Sequence, residues 1–342
     1  MNQTVTMADF LEQGNEIRYL QEQIRENHLP HALLITGEEG TGKKALATLI
    51  SAALLCKEGE GQPCMRCHGC LQALEHAHAD QIVIRKGVAL SPEMKDGRAT
   101  IPVEDIREMI RICGMTPLEG GNRVVLIKGA EDMTVQAQNA LLKTLEEPPD
   151  RTWFLLVSSR PESLLRTIIS RCHQIRLHPI SDSAMRKKLR EAGISEETAD
   201  SVIGMADGCI GKALQMAQQE DFTAFVQDVT NVFFRSRKRS EILSRSNEWK
   251  NRKGEADLLF TVLESMIHRM MQARFGKEDP GLQRILPENW MRFLREAEPE
   301  AFSRLYDAVQ LGRREIQFSV NFQTVFEQTL FCFMGEGNQW LQ

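Results

Sequence analysis

HALLITGEEGTGKKALATLISAALLC, residues 31–56, decides the fold. Its opening, HALLITG (31–37), has the apolar run of a buried strand. KKALATLISAALLC (43–56) carries the apolar face of a helix. Between them, GEEGTGKK (37–44) fits G-x-x-x-x-G-K. Strand, glycine loop and helix in that order turn backbone N–H groups and a helix N-terminus toward phosphate, with Lys43 placed to reach the β and γ groups. Gly37, Gly40 and Gly42 permit the close approach of the backbone.

Further along, the same alternation continues. QIVIRK (81–86), RVVLIKG (123–129) and TWFLLVSS (152–159) read as strands. VEDIREMIRICGM (103–115) and TVQAQNALLKTLEE (134–147) read as helices, the second stopped by Pro148 and Pro149. Strands separated by helices predict a parallel sheet flanked by helices. Beyond Pro179 the strand signals disappear. Short helical patterns fill 180–217, and long amphipathic ones follow, such as 257–276 and 322–335. The expected division is an α/β core over 1–178, a small helical segment over 179–218 and an all-α domain over 219–342.

At 342 residues the chain is long enough for two or three cores. With 42% hydrophobic and 26% charged residues it is composed like a globular protein, which argues against disorder. The net charge of -5 argues against a free-standing nucleic-acid binder, though not against a local basic surface. No apolar run reaches the ~18 residues of a membrane span, and the N-terminus lacks a basic head followed by an apolar core. A cytoplasmic protein without a signal peptide or a membrane partner is expected.

The phosphate loop lacks the groups that serve a metal. An active loop has Ser or Thr after its lysine, whose hydroxyl binds Mg²⁺; this chain has Lys44. The second metal anchor is an acid directly after a later strand, where this chain has Gly129 and Ala130. Glu131 and Asp132 come two residues late, and the alternative is that one of them swings in to compensate. Phosphoryl transfer depends on positioning and charge neutralisation, so losing both anchors removes turnover. ATP or ADP binding without hydrolysis remains compatible with the surviving glycines and Lys43.

After the loop helix comes Cys56-x7-Cys64-x2-Cys67-x2-Cys70. Four thiolates at this spacing suit a tetrahedral, structural Zn²⁺ with no position open for water. An iron–sulfur cluster is the alternative occupant, and His68 an alternative ligand, although a solvated loop histidine is its simpler reading. His76 and His78 read as surface residues. Clustered cysteines with scattered thiols elsewhere fit a reducing compartment better than a disulfide framework.

NALLKTLEEPPDRTWFLLVSSRPESLLRTIISRC (139–172) resembles the AAA+ clamp-loader family. Leu142-Lys143-x-Leu145-Glu146-Glu147-Pro148-Pro149 is similar to the family's helix before its sensor-1 strand, with Ser158 and Ser159 at the sensor-1 position. Ser170-Arg171-Cys172 matches its SRC motif. The resemblance implies that Arg171 points across a subunit interface at a neighbour's ATP. A guanidinium, always charged and planar, suits that role. The plain alternative is a surface arginine paired with an acid.

Gly208–Leu214 resembles the lid segment carrying sensor 2, with Gly211 where active relatives have arginine. Lys212 would project about 100° away around the helix. Loss of the loop hydroxyl, strand acid and sensor-2 arginine, with the cysteines and Arg171 kept, resembles the family's delta-prime branch rather than its ATP-hydrolysing gamma/tau branch. Asn321-Phe322-Gln323-x3-Phe326-Glu327-x2-Leu330 is similar to the end of that branch's chains. The resemblance implies a P-loop AAA+ core, a helical lid and an all-α C-terminal collar. It also implies a hetero-pentameric clamp loader with gamma/tau and delta subunits, acting through the assembly on the beta sliding clamp and primer-template DNA. The alternatives are an active gamma/tau-type ATPase, a zinc-dependent DNA-binding protein with a vestigial loop, and a small-molecule P-loop kinase.

Other features have plainer readings. Arg235, Arg237, Lys238 and Arg239 read as a solvated basic run. Met266, Met270, Met271 and Trp153 read as packing residues, and Cys113, Cys209 and Cys332 as buried free thiols.

Overall fold

The apolar runs become a five-stranded parallel sheet in a computed structural model of the protein. It describes residues 6–339 except 11, 60, 92–94, 120, 219–220, 237, 277–281 and 283–285. The strands are β1 (Ala32–Thr36), β2 (Gln81–Arg85), β3 (Arg123–Lys128), β4 (Thr152–Ser158) and β5 (His173–Arg176). Their spatial order is β2-β3-β4-β1-β5. Before and between them lie α1 (Gly14–Arg25), α2 (Lys43–Leu54), α3 (His68–Leu74), α4 (Val103–Cys113), α5 (Val135–Glu146) and α6 (Arg166–Ile169).

Successive strand residues point to opposite faces, so each strand feeds two cores. Leu33, Ile35, Val124, Leu126, Leu155 and Val157 pack with Ile17 and Leu20 of α1 and Leu46 and Ile50 of α2. Leu34, Val125, Ile127, Phe154 and Leu156 pack on the other face with Ile106 and Met109 of α4 and Leu141 and Leu145 of α5. Burial on both faces explains the continuous apolar runs of β1, β3 and β4. β5 escaped the sequence reading because it is a four-residue edge strand in which only Ile175 is buried.

Arg123 opens β3 inside this unit and is buried. Its Nη1 donates to the carbonyls of Ile112 (2.7 Å), Cys113 (3.3 Å) and Met115 (2.6 Å), with the Asp80 carboxylate 3.6 Å from its Nη2. It thereby ties the end of α4 to the start of β3. Removing one partner from a buried charged network costs roughly 3–5 kcal/mol. Arg123→Met is therefore expected to lower stability by about 3 kcal/mol, read from the urea midpoint at unchanged slope.

Two histidines are not surface residues. His78 is buried, its Nδ1 accepting from the Asp80 N–H at 3.0 Å, because the chain turns inward here to enter β2. His76 is half-buried and paired with Lys128.

The chain divides into two compact units. One runs to Ala184 and takes in Gly208–Gly211; the other holds Met185–Asp207 and the residues from Lys212 on. The second is helical among its described residues: α7 (Asp182–Glu191), α8 (Glu196–Ile203), α9 (Ile210–Ala217), α10 (Phe222–Phe233), α11 (Arg239–Trp249), α12 (Ala256–Arg274), α13 (Glu288–Glu296), α14 (Pro299–Gln317) and α15 (Phe322–Asn338), with the first residues of α7 and α9 counted in the first unit. Its centre is aromatic. Phe233 and Phe234 meet Phe333 edge-on at 5.3 and 5.4 Å, and Trp290 packs against Phe234 at 4.8 Å. Met266 and Met270 are buried, as is Trp153 in β4. Cys332 is exposed, contrary to expectation. Phe322, Val325, Phe326, Thr329, Leu330, Phe333 and Met334 form the buried stripe of α15, and position 332 falls at its margin, about 20° beyond Val325. Of the basic run, Arg235 and Lys238 are exposed, and Arg237 lies outside the described residues. No helix among the described residues is long and apolar enough to cross a membrane.

Candidate functional site

The glycine loop leaves the C-terminal end of β1, which lies between β4 and β5. The chain path crosses over at this position in the sheet, where crevices for ligands form. Gly37, Gly40 and Gly42 all have positive φ, and Gly42 caps α2. Lys43, on the first turn, is buried and folds back so that Nζ donates to the Glu38 carbonyl at 2.5 Å. The Thr41 hydroxyl donates to the same oxygen at 2.8 Å. Burial lowers the Lys43 amine below its ordinary range, opposed by the nearby Glu39 and Glu131.

The segment Gly208–Gly211 closes over this loop. The Gly211 N–H donates to the Gly40 carbonyl at 2.8 Å. A Cβ at position 211 would sit 2.9 Å from that oxygen and 3.0 Å from Gly40 Cα. The residue that the resemblance aligns with sensor 2 is thus a glycine in a place with no room for a side chain. Gly211→Arg is expected to force the loop open, at roughly 1–3 kcal/mol of stability, without creating ATPase activity. A thermal melt equal to that of the unaltered chain would contradict this close approach.

At the ends of β3 and β4 the acids are engaged elsewhere. Glu131 Oε1 accepts from the Ser159 N–H at 3.0 Å. Asp132 pairs with Lys86 at 3.4 Å, and burial raises its pKa. Gly129 adopts φ 80°, and a Cβ there would lie 2.7 Å from Asp132 Oδ2, so the position is shaped for glycine and not for an acid. Ser158 is buried, its Oγ accepting from the Arg160 N–H at 3.1 Å, whereas Ser159 is exposed. Lys44 is exposed on α2. The sheet edge thus gathers the loop, Lys44, Gly129, Ser158, Ser159 and Gly211 in one region.

The cysteines lie elsewhere. Counting 1.5 Å per residue, α2 carries the chain about 18 Å to the opposite edge of the sheet. There the Sγ atoms of Cys56, Cys64, Cys67 and Cys70 all lie within 4.8 Å of one another. Cys56 to Cys67 is 3.9 Å and Cys64 to Cys70 is 3.8 Å. Zn–S bonds of about 2.3 Å in a tetrahedron require edges of about 3.8 Å, so the donor set fits zinc. Backbone N–H groups support the sulfurs: Cys67 N–H points at Cys64 Sγ (3.3 Å) and Cys70 N–H at Cys67 Sγ (3.4 Å). Backbone N–H groups of Arg66 and Cys67 lower the Cys64 thiol to about 6, while burial raises that of Cys70. His68 is exposed and outside the sulfur cluster.

Arg171 follows α6, apart from both sites. Its Nε donates to Glu146 Oε1 at 2.8 Å, its Nη2 to the same oxygen, and its Nη1 to the Thr167 carbonyl at 2.8 Å. The side chain stays 30% exposed. No local pattern marks Glu146 as its partner, although it belongs to the LEEPP stretch that precedes β4.

A family model described as "DNA polymerase III, delta subunit" matches residues 12–181. The delta' subunit of DNA polymerase III of Bacillus subtilis (strain 168) is 25% identical over 330 residues, covering 95% of this chain and 97% of that protein. The delta' subunit of Escherichia coli (strain K12) is 36% identical over 199 residues, 57% of this chain and 56% of its own length. The tau subunit of Salmonella typhimurium is 26% identical over 95% of this chain, which spans about half (53%) of tau. Among solved structures, a gamma subunit-related protein of DNA polymerase III from Thermotoga maritima aligns over 93% of this chain and 99% of its own, at TM-score 0.46 and 17% identity. Together with a phosphate loop at the end of β1 and the LLKTLEEPP and SRC segments in place, these sequence matches place the chain in the bacterial clamp-loader AAA+ family of DNA polymerase III delta' subunits.

Proposed function

We propose that the chain is a non-hydrolysing clamp-loader subunit that presents Arg171 to ATP bound by a neighbouring gamma/tau-type ATPase. One observation carries the first half: Lys44 and Gly129 stand where Mg²⁺ would be anchored, and Glu131 and Asp132 are tied to the Ser159 N–H and to Lys86. Compensation by Asp132 would require breaking its pair with Lys86, whereas Glu131 keeps a second, buried oxygen without a partner, and the turnover measurement below decides that alternative. The second half is supported by the exposure of Arg171, whose pairing with Glu146 is exchangeable. In this reading the partners are gamma/tau and delta subunits in a hetero-pentamer, which loads the beta sliding clamp on primed DNA in the cytoplasm. The cysteines hold a structural zinc. ATP or ADP enters the loop only if Lys43 exchanges the Glu38 carbonyl for phosphate.

The test is turnover with Mg²⁺ and ATP, first by the purified chain and then by the chain mixed with gamma/tau and delta. The expected result is none above background for the chain alone, and DNA-stimulated turnover with clamp loading for the mixture. Brisk hydrolysis by the chain alone would instead favour an active gamma/tau-type ATPase.

A further inference from the structure

Where an active loop would hold a metal-binding hydroxyl, Lys44 places an ammonium. It is not the only cation at that corner. Arg85 and Lys128 are register partners at the last positions of β2 and β3. Both continue the α2 face of the sheet, since Val83 lies two residues before Arg85, and Val124 and Leu126 precede Lys128 on the side that packs against α2. Lys128 Nζ lies 2.5 Å from His76 Nε2, just past α3. Lys44 and Arg85 are exposed; Lys128 and His76 are half-buried.

Among the described residues no carboxylate pairs with Lys44, Arg85 or Lys128. Of the acids at this end of the sheet, Glu131 and Asp132 are directed to the Ser159 N–H and to Lys86, and Glu39 lies near Lys43. The crowding is unfavourable as it stands. Burial, then Arg85 and Lys44, lowers the Lys128 amine, and burial with Lys128 lowers His76. Like charges gathered without a counter-ion destabilise the fold unless an anion offsets them. A guanidinium fork, two ammoniums and an imidazole beside the N-terminus of the twelve-residue α2 suit a multiply charged oxyanion.

We propose that Lys44, Arg85, Lys128 and His76 form a metal-independent phosphate site beside the closed glycine loop. The ligand chemistry is a phosphate ester or anhydride, from the tail of a nucleotide or from a nucleic-acid backbone. Lys44 supplies there the positive charge that Mg²⁺ supplies in an active loop. This site goes beyond the function proposed above and does not involve Arg171, so either can fail without the other.

The probe is inorganic tripolyphosphate, titrated calorimetrically into the full chain in excess EDTA. ATP and a primed DNA oligonucleotide then serve as competitors. Binding without metal is expected, and Lys44→Ser and Arg85→Ala are each expected to weaken it roughly tenfold or more, the loss of one charge-assisted contact. Both residues are exposed and crowded by like charge, so neither variant should melt below the parent. Competition by ATP assigns the site to nucleotide, and competition by DNA to the backbone; either supports it. Absence of binding, a requirement for Mg²⁺, unchanged affinity in both variants, or tripolyphosphate displaced by neither competitor would overturn it.

Discussion

On the proposed role of Arg171, Arg171→Ala is expected to slow ATP hydrolysis by the neighbouring ATPase by about 10³-fold or more, because an arginine supplied in trans contributes 10³–10⁵ to phosphoryl transfer. Arg171→Lys should recover little, since an ammonium cannot reproduce the planar two-pronged contact with phosphate oxygens. Folding should change far less. The pair with Glu146 is solvent-accessible on both sides, and such pairs contribute about 0–1 kcal/mol. Glu146→Gln separates the two roles. It breaks the same ion pair but keeps the guanidinium, so turnover should stay near that of the parent complex. If Arg171→Ala and Glu146→Gln behaved alike in steady-state ATPase and clamp-loading assays, the arginine would be a surface residue serving its own fold.

The largest effect on stability is expected from the four-sulfur site. Structural zinc bound by such ligands contributes on the order of 10 kcal/mol to the folding of small domains. The sulfurs close a turn whose other anchors are Met65 and Ala73 against the core and two close backbone contacts. Gly61 rests against the Gln21 carbonyl of α1, and Gly69 against the Leu55 carbonyl, both too close for a side chain. One zinc per chain is expected by elemental analysis, with no visible absorption; a broad visible band would indicate an iron–sulfur cluster instead. Cys64→Ser should lose the metal and lower the melting temperature by many degrees. It is a cleaner probe than Cys70→Ser, because Cys70 is also buried, its thiol directed at the Ala52 carbonyl at 3.7 Å. Cys332→Ser, an exposed thiol outside the cluster, is the matched control. A metal-free chain that melts like the zinc-loaded one would show that the cysteines do not form a structural site.

Much of the core was readable without coordinates because its signals are local. Strand β1 announces itself by an uninterrupted apolar run, α5 by its periodicity and the prolines that stop it, and the candidate metal site by cysteines with two residues between them. The failures share a cause. β5 buries one residue of four and survives by pairing with β1. His78 is buried by a chain reversal that its neighbours do not signal. Cys332 looked apolar enough for the core, but its position at the margin of the buried stripe leaves it exposed.

By itself the sequence determined the alternating α/β core, the phosphate loop with its missing metal anchors and the four-cysteine set, since each depends on residue types at short, fixed spacing. Only the tertiary structure decided that Gly211 sits against Gly40, that Glu131 and Asp132 are committed elsewhere, that Glu146 holds Arg171, and that Lys44, Arg85, Lys128 and His76 share one corner of the sheet. These are contacts between segments distant in the chain. They are set by strand register and by how each helix lies across the sheet, which no local pattern encodes.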